Sequence, residues 1–315
     1  MPLFLNKRQL GHSLFDQDQL LTENSSLSST FKALAETWIS KPEIVVKENV
    51  LYVGQREYAV IDPHSKGNVE YIASDSATTC HIVVFIQPES RVVGLSHFDG
   101  CNTEQGVYDL IQQMDLRCGQ VAPASTQHSY DVYIFGGFQD TKGYSIKLAK
   151  ELFRAMHAST RNIHVKVACV FNLNSRYEHG TCYPIYYGVG VNCDSMEIHR
   201  VRCENKGPMR EVKGARNFIG PKQMMNCYDN SSHEMILHPF SYQHQFQQID
   251  LWLSQSDKFL LKHLSTSPEQ EPEDFVPDVR QSLMFIASNP DPSLTIFKEN
   301  TTLRFRLASG FWQQC

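Results

Sequence analysis

The sequence predicts an α+β fold of mainly antiparallel strands with flanking helices, and three stretches carry that prediction. Between Ser74 and Asp99, two runs rich in β-branched and aromatic residues, His81 to Ile86 and residues 91–95, flank the tetrad Gln87-Pro88-Glu89-Ser90, the pattern of a hairpin with a four-residue loop. Residues 183–191 and 197–202, around Asn192-Cys193-Asp194-Ser195, read as a second hairpin, so a further β layer or an extension of the first is available. Residues 131–135, 145–158 and 163–171 read as strand, amphipathic helix and strand, which together resemble a crossover.

In chain order, residues 1–43 form a polar, Ser-rich lead-in with a helix at 29–39, where Phe31, Leu34, Ala35 and Trp38 recur at helical spacing. This lead-in is expected on the outside of the fold. From Ile44 the text becomes β: residues 44–53, 58–62 and 69–73 read as a meander entering the central hairpin, and a helix follows at 103–114. The helix at 145–158 buries Ile146, Leu148, Leu152, Phe153 and Met156 along one face. Gly136-Gly137 is a tight turn, because it lacks the Lys-Ser or Lys-Thr ending of a phosphate loop. Residues 246–261 mix Trp252, Leu253 and Phe259 with polar residues until Leu264-Ser265-Thr266-Ser267-Pro268 stops the pattern. A Pro/Glu-rich bridge at 268–272 leads to a helix at 275–287, and residues 301–307 close the chain as an edge strand. With no internal repeat and no linker, residues 1–315 are expected to form one domain, 1–43 being its lead-in and 268–315 its C-terminal helix and edge strand.

Composition excludes several classes of function. A net charge of −5 with no dense Lys/Arg run lacks the footprint of a nucleic-acid binder. No apolar stretch is long enough to span a bilayer, and the start lacks the apolar core of a signal peptide. The nine cysteines are an odd number with no C-x-x-C pair, and His199 between Cys193 and Cys203 does not complete a zinc-ligand spacing. Free thiols in a reducing compartment are therefore expected.

The central hairpin carries the chemistry. If Ile86 faces Arg91, the same register sets Cys80 opposite His97, close enough for contact by rotamer choice. An imidazole opposite a thiol can take its proton and leave the thiolate nucleophile. A buried cysteine is by default only a small hydrophobe, and the pairing is what argues against that account of Cys80. Ile82, Val84, Val93 and Leu95 share one face and Val83, Phe85 and Val92 the other, so the hairpin is expected inside a sheet covered on both sides. Ala77-Thr78-Thr79 leave room for a ligand, and the amides of Thr79 and Cys80 are candidates for an oxyanion hole. Ser74 and Thr78 are candidates to orient the imidazole, while His81 is turned by strand alternation to the opposite face. Asp75 and Asp99 flank the pair and are candidates to bind a substrate cation.

The strings Asp75-Ser76-Ala77-Thr78-Thr79-Cys80-His81-Ile82-Val83-Val84 and Ser96-His97-Phe98-Asp99-Gly100 resemble the protein N-terminal asparagine amidohydrolase family. V-Y-I-F-G-G-F at 132–138, P-I-Y-Y-G-V-G-V-N at 184–192, L-S-T-S-P at 264–268 and Leu283-Met284-Phe285 extend the match through the chain, and Met1-Pro2-Leu3 is similar too. The Cys–His spacing is also similar to that of the chemotaxis-receptor glutamine deamidases and the cytotoxic necrotizing factor toxins. The resemblance implies a layered α/β/β/α-type sandwich, with Cys80 as nucleophile, His97 as general base and Ser74 as the supporting hydroxyl. It also implies protein or peptide substrates with N-terminal asparagine, a cytoplasmic or nuclear location, and a step upstream of arginylation and ubiquitin-dependent degradation. No metal or organic cofactor, no nucleic acid, no membrane and a monomeric chain are expected. A silent binding module for N-terminal residues and a Cys–His peptidase are the alternatives.

Overall fold

The computed structural model describes residues 3–5, 8–10, 26–121, 129–243 and 248–315. An eight-stranded sheet runs in the spatial order Met225–Asn226, Glu57–Ile61, Val93–Phe98, His81–Ile86, Ser129–Gly136, Asn162–Val170, Leu3–Leu5, Arg8–Gln9. The central hairpin is thus interior to it, as its two apolar faces require. On one face, Val83, Phe85 and Val92 pack against Leu110 and Met114 of the helix Thr103–Val121 and Leu152 and Phe153 of the helix Tyr144–Ala158. On the other, Ile82, Val84, Val93 and Leu95 meet Ile72, Val189, Val191 and Ile198 of a second, five-stranded sheet. Helix layer, large sheet and second sheet make an α+β sandwich. Among the described residues, no helix is long and apolar enough to cross a membrane.

The strand–helix–strand unit closes as expected, with Ser129–Gly136 and Asn162–Val170 pairing in parallel across the helix Tyr144–Ala158. The hairpin around Asn192 also forms, pairing Val191 with Ile198, but its first arm is broken into Thr181–Pro184 and Val189–Asn192. Residues 44–62 do not form a meander. Asn49, at φ 53°, separates Glu43–Val46 from Val50–Tyr52 in the second sheet, and Glu57–Ile61 crosses to the large sheet, where it pairs with Val93–Phe98. The lead-in is not wholly external either. Leu3–Leu5 joins the large sheet beside Ile163, and Leu3, Leu5 and Leu10 are buried, because an apolar triplet can cover a parallel edge that charge does not protect. Pro2 lies outside the described residues.

Two further expectations change. Residues 246 and 247 fall outside the described part, and the rest of that stretch is two short helices, Ile249–Leu253 and Asp257–Leu264, the second capped by Ser256 Oγ accepting from Phe259 N–H. The C-terminal strand, Leu303–Ala308, is interior to a four-stranded sheet, flanked by Glu234–Leu237 and Phe311–Gln314. Sequence reading made it an edge because Glu234–Leu237 and the last residues were not recognised as strands.

The helix Arg210–Ile219 is fastened to the edge of the large sheet by charge. Glu57 is fully buried, and accepts hydrogen bonds from Lys213 Nζ (2.9 Å), Arg216 Nη2 (3.1 Å) and Gly54 N–H (2.9 Å). Burial works to raise the Glu57 pKa, but Lys213 and Arg216 outweigh it and hold the carboxyl below its ordinary value. Glu57→Gln keeps the shape and strands two buried cations, so chemical denaturation should show a loss of about 3–5 kcal/mol.

Candidate active site

The loop Asp75–Cys80 carries the chain from the end of the second-sheet strand Tyr71–Ser74 into the large-sheet strand His81–Ile86. Its path is fixed at both ends. Asp75 Oδ1 accepts from Tyr52 Oη (2.9 Å) and Ser76 Oγ (3.1 Å), and its Oδ2 accepts from Cys203 N–H (2.8 Å). Ala77 N–H donates to Tyr187 O (2.9 Å), and Cys80 O accepts from Gly137 N–H (2.8 Å). That last contact explains the double glycine. Gly136 has φ +114°, and a Cβ there would lie 2.5 Å from Cys80 O; one at Gly137, φ +60°, would lie 2.6 Å from His81 Cε1.

The register of the hairpin differs from the expected one. Ile86 pairs with Val93 and Ile82 with His97, so residues Gln87 to Val92 all belong to the turn. Gln87 causes this: its Oε1 accepts from Ser90 N–H (2.5 Å), its carbonyl accepts from Arg91 N–H (2.8 Å), and Arg91 sits at φ 60°. Cys80 is therefore diagonal to His97 rather than directly opposed to it. The displacement is two residues in the pairing sum, so both side chains stay on the same face of the sheet.

A cavity of about 440 Å³ opens on that face and is lined by Cys80 and His97 together with Asp75, Thr78 and Thr79. Its far wall comes from a part of the chain to which sequence reading gave no role: Glu271 and Thr266 of the segment after Leu264, and the helices Arg210–Ile219 and Phe275–Ser288. Thr79 Oγ1 and Thr266 Oγ1 are hydrogen-bonded at 2.9 Å, which ties the two walls together. The signal available was L-S-T-S-P, legible as a family string and otherwise as a helix stop.

His97 is buried, its Nδ1 2.8 Å from Ser74 Oγ, and its carbonyl accepts from Arg56 N–H (3.0 Å). Ser74, not Thr78, is thus the hydroxyl on the imidazole. Burial lowers the His97 pKa to about 4, against the pull of Asp99, Asp75 and Glu57. That shift favours the neutral ring. Burial, with Asp99 and Glu271 adding, pushes the Cys80 thiol well above its ordinary value. Both shifts favour the neutral thiol and imidazole over an ion pair of the two. No acceptor for the N–H groups of Thr79 and Cys80 is found among the described residues.

The two candidate carboxylates differ. Asp75 touches the cavity, but its oxygens are taken by the bonds above and Lys206 Nζ lies 3.6 Å away. Asp99 is not among the residues lining the cavity; it binds Arg56 Nε (2.7 Å), Gln55 Nε2 (2.7 Å) and Cys101 N–H (2.9 Å). His81 lies on the opposite face, fully buried against Gly137, with burial lowering its pKa to about 3. Among the described residues, no three His, Cys, Asp or Glu side chains cluster as a metal would require.

Residues 40–314 match the family described as protein N-terminal asparagine amidohydrolase. The chain is 34% identical to the human protein N-terminal asparagine amidohydrolase, over 85% of this chain and 84% of that one, and 35% identical to the pig protein over the same shares. It is 25% identical to the protein of that name from Arabidopsis thaliana, over 91% and 88% of the two chains. A match spanning both walls of the cavity, and coverage of most of each relative, place this chain in the protein N-terminal asparagine amidohydrolase family.

Proposed function

We propose that the protein hydrolyses the side-chain amide of an N-terminal asparagine, giving N-terminal aspartate and ammonia. The observation that carries the reading is Cys80 and His97 lining one cavity sized for a side chain, with Ser74 buried on the imidazole. With His97 Nδ1–H donated to Ser74 Oγ, the Nε2 lone pair is left for the thiol. Cys80 Sγ attacks the carboxamide carbon as its proton passes to Nε2. The tetrahedral oxyanion is held by the N–H groups of Thr79 and Cys80. His97 returns the proton to the departing nitrogen, and ammonia leaves a thioester. Water, deprotonated by His97, attacks that thioester and releases carboxylate and thiol. The family resemblance carries the product onward to arginylation and ubiquitin-dependent degradation, in the cytoplasm or nucleus.

Ser74 is a hydroxyl where a stronger triad would carry a carboxylate, so it orients the imidazole without stabilising a full imidazolium. Thr78 and Thr79 shape the pocket floor, and Asp75 holds the loop that carries the nucleophile.

Three measurements test this. An Asn-initiated peptide incubated with the protein should gain the mass that accompanies exchange of –NH2 for –OH, and Cys80→Ala should abolish the gain. Conversion by Cys80→Ala would remove the thioester route, and chain cleavage would show a peptidase instead. Ser74→Ala should lower kcat by roughly 2- to 10-fold, the worth of one neutral hydrogen bond, with little change in KM. The third concerns pH. His97 and His81 bind protons near pH 6.5 when unfolded but only at about 4 and about 3 when folded, so their stabilising effect is complete above 6.5 and lost as pH falls. Glu271, raised to about 7, acts in the opposite sense. Two protons against one leave a net fall in stability of about 1.4 kcal/mol per pH unit between pH 6.5 and 5, readable as a drop in the urea midpoint, and His238, also lowered by burial, acts in the same sense.

A further inference from the structure

An enzyme confined to chain termini has to recognise an α-ammonium, and three bonds separate that nitrogen from the carboxamide carbon. The counter-charge must therefore sit across the cavity from Cys80, within a side chain's length. Most of the carboxylates on the wall are already engaged by the protein's own groups. Asp75 holds Tyr52 and Cys203 N–H; Asp274 pairs with Lys206 at 2.7 Å and Asp278 with Arg210. The third cation on the wall, Lys213, belongs to Glu57. Glu271 is different. It lines the same cavity, its Oε1 accepts from Ser265 Oγ at 2.5 Å, and it makes no ion pair among the described residues.

Resting on the amidohydrolase reading, we infer that Glu271 is the specificity residue that binds the substrate's α-ammonium, with the Ser265 hydroxyl fixing the carboxylate's direction. Two facts about charge agree with that placement. The Glu271 carboxylate acts at Cys80, where it helps to raise the thiol. Burial, with Asp274 adding, pushes Glu271 itself up to about 7, so its surroundings disfavour the bare anion and a cation beside it would hold it ionised. A bound ammonium neutralises the charge that opposes thiolate formation. Only a free N-terminus then completes the site electrostatically, and the same pairing makes the nucleophile easier to ionise.

The experiment compares a peptide beginning with Asn against its succinamoyl counterpart, which keeps the carboxamide and lacks the amine, in wild type, Glu271→Gln, Glu271→Asp and Glu211→Gln. Glu271→Gln should lose on the order of 10- to 100-fold in kcat/KM for the amine-bearing peptide, mostly through KM, and little for the succinamoyl one. Glu271→Asp should recover part of the loss. Peptide mapping after iodoacetamide at pH 8 gives a readout independent of turnover: Cys80 should alkylate faster in Glu271→Gln than in wild type. Equal losses on both peptides, unchanged discrimination, or a loss confined to Glu211→Gln would each overturn the assignment, and a Glu271→Gln chain that melts early is judged on the Asp variant. Wild type that leaves the Asn peptide intact rejects the amidohydrolase reading itself.

Discussion

The site depends on one antiparallel ladder, in which Ile82 faces His97 and the strand preceding it begins at Cys80's shoulder. Because side chains alternate along a strand, Cys80 and His97 share a face only while the pairing sum is odd in the same sense; a slip of one residue would send them to opposite cores. The protein secures that register from two directions. Val83 and Phe85 are locked against two helices, Ile82 and Val84 against the second sheet, so a slip would have to move two packed apolar sets at once. The double glycine at the end of the neighbouring strand closes the arrangement from behind, with Gly137 N–H on the Cys80 carbonyl.

Charge is handled around this frame by giving buried ions their own partners. Glu57 takes Lys213 and Arg216, and Asp99 takes Arg56, whose backbone N–H also holds the His97 carbonyl. Glu57 joins a strand of the large sheet to the helix beside it, and Arg56–Asp99 joins the turn before that strand to the end of its neighbour, so the charges fix positions near the site. The imidazole in their midst stays neutral because burial outweighs the three nearby carboxylates. On the proposed mechanism, such an imidazole would take the thiol proton only when a reacting carboxamide makes the transfer favourable.

The sequence made this much readable because its strongest signals are local. The unbroken apolar run at 82–86 announces a strand covered on both faces, and the periodicity of Leu148, Leu152 and Phe153 announces the crossover helix. The register was misread through one side chain: nothing in the string Gln87-Pro88-Glu89-Ser90 reveals that Gln87 will bond Ser90 N–H and draw Arg91 and Val92 into the turn. Non-local pairing was beyond reach. Leu3–Leu5 lies beside Ile163, and Glu271 reaches the cavity from a Pro/Glu-rich stretch that looks like a connector until the far wall is seen. Asp99 was singled out by nearness in sequence, yet its carboxylate is taken by Arg56 and Gln55 and it is not among the residues lining the cavity.

A two-point grip also changes what a pocket of this kind can discriminate. Telling asparagine from glutamine by pocket volume alone rests on one methylene, worth about 1–3 kcal/mol. When the ammonium is pinned at Glu271 and the carboxamide must meet Cys80 on the opposite wall, side-chain length becomes a distance between two fixed groups. Glutamine then places its carbonyl carbon a bond beyond the nucleophile, and its oxygen off the Thr79 and Cys80 amides, so the penalty falls on the transition state as well as on binding. The hydroxyl pair Thr79–Thr266 joins the loop before Cys80 to the segment before Glu271, and on that reading it would help to hold the span.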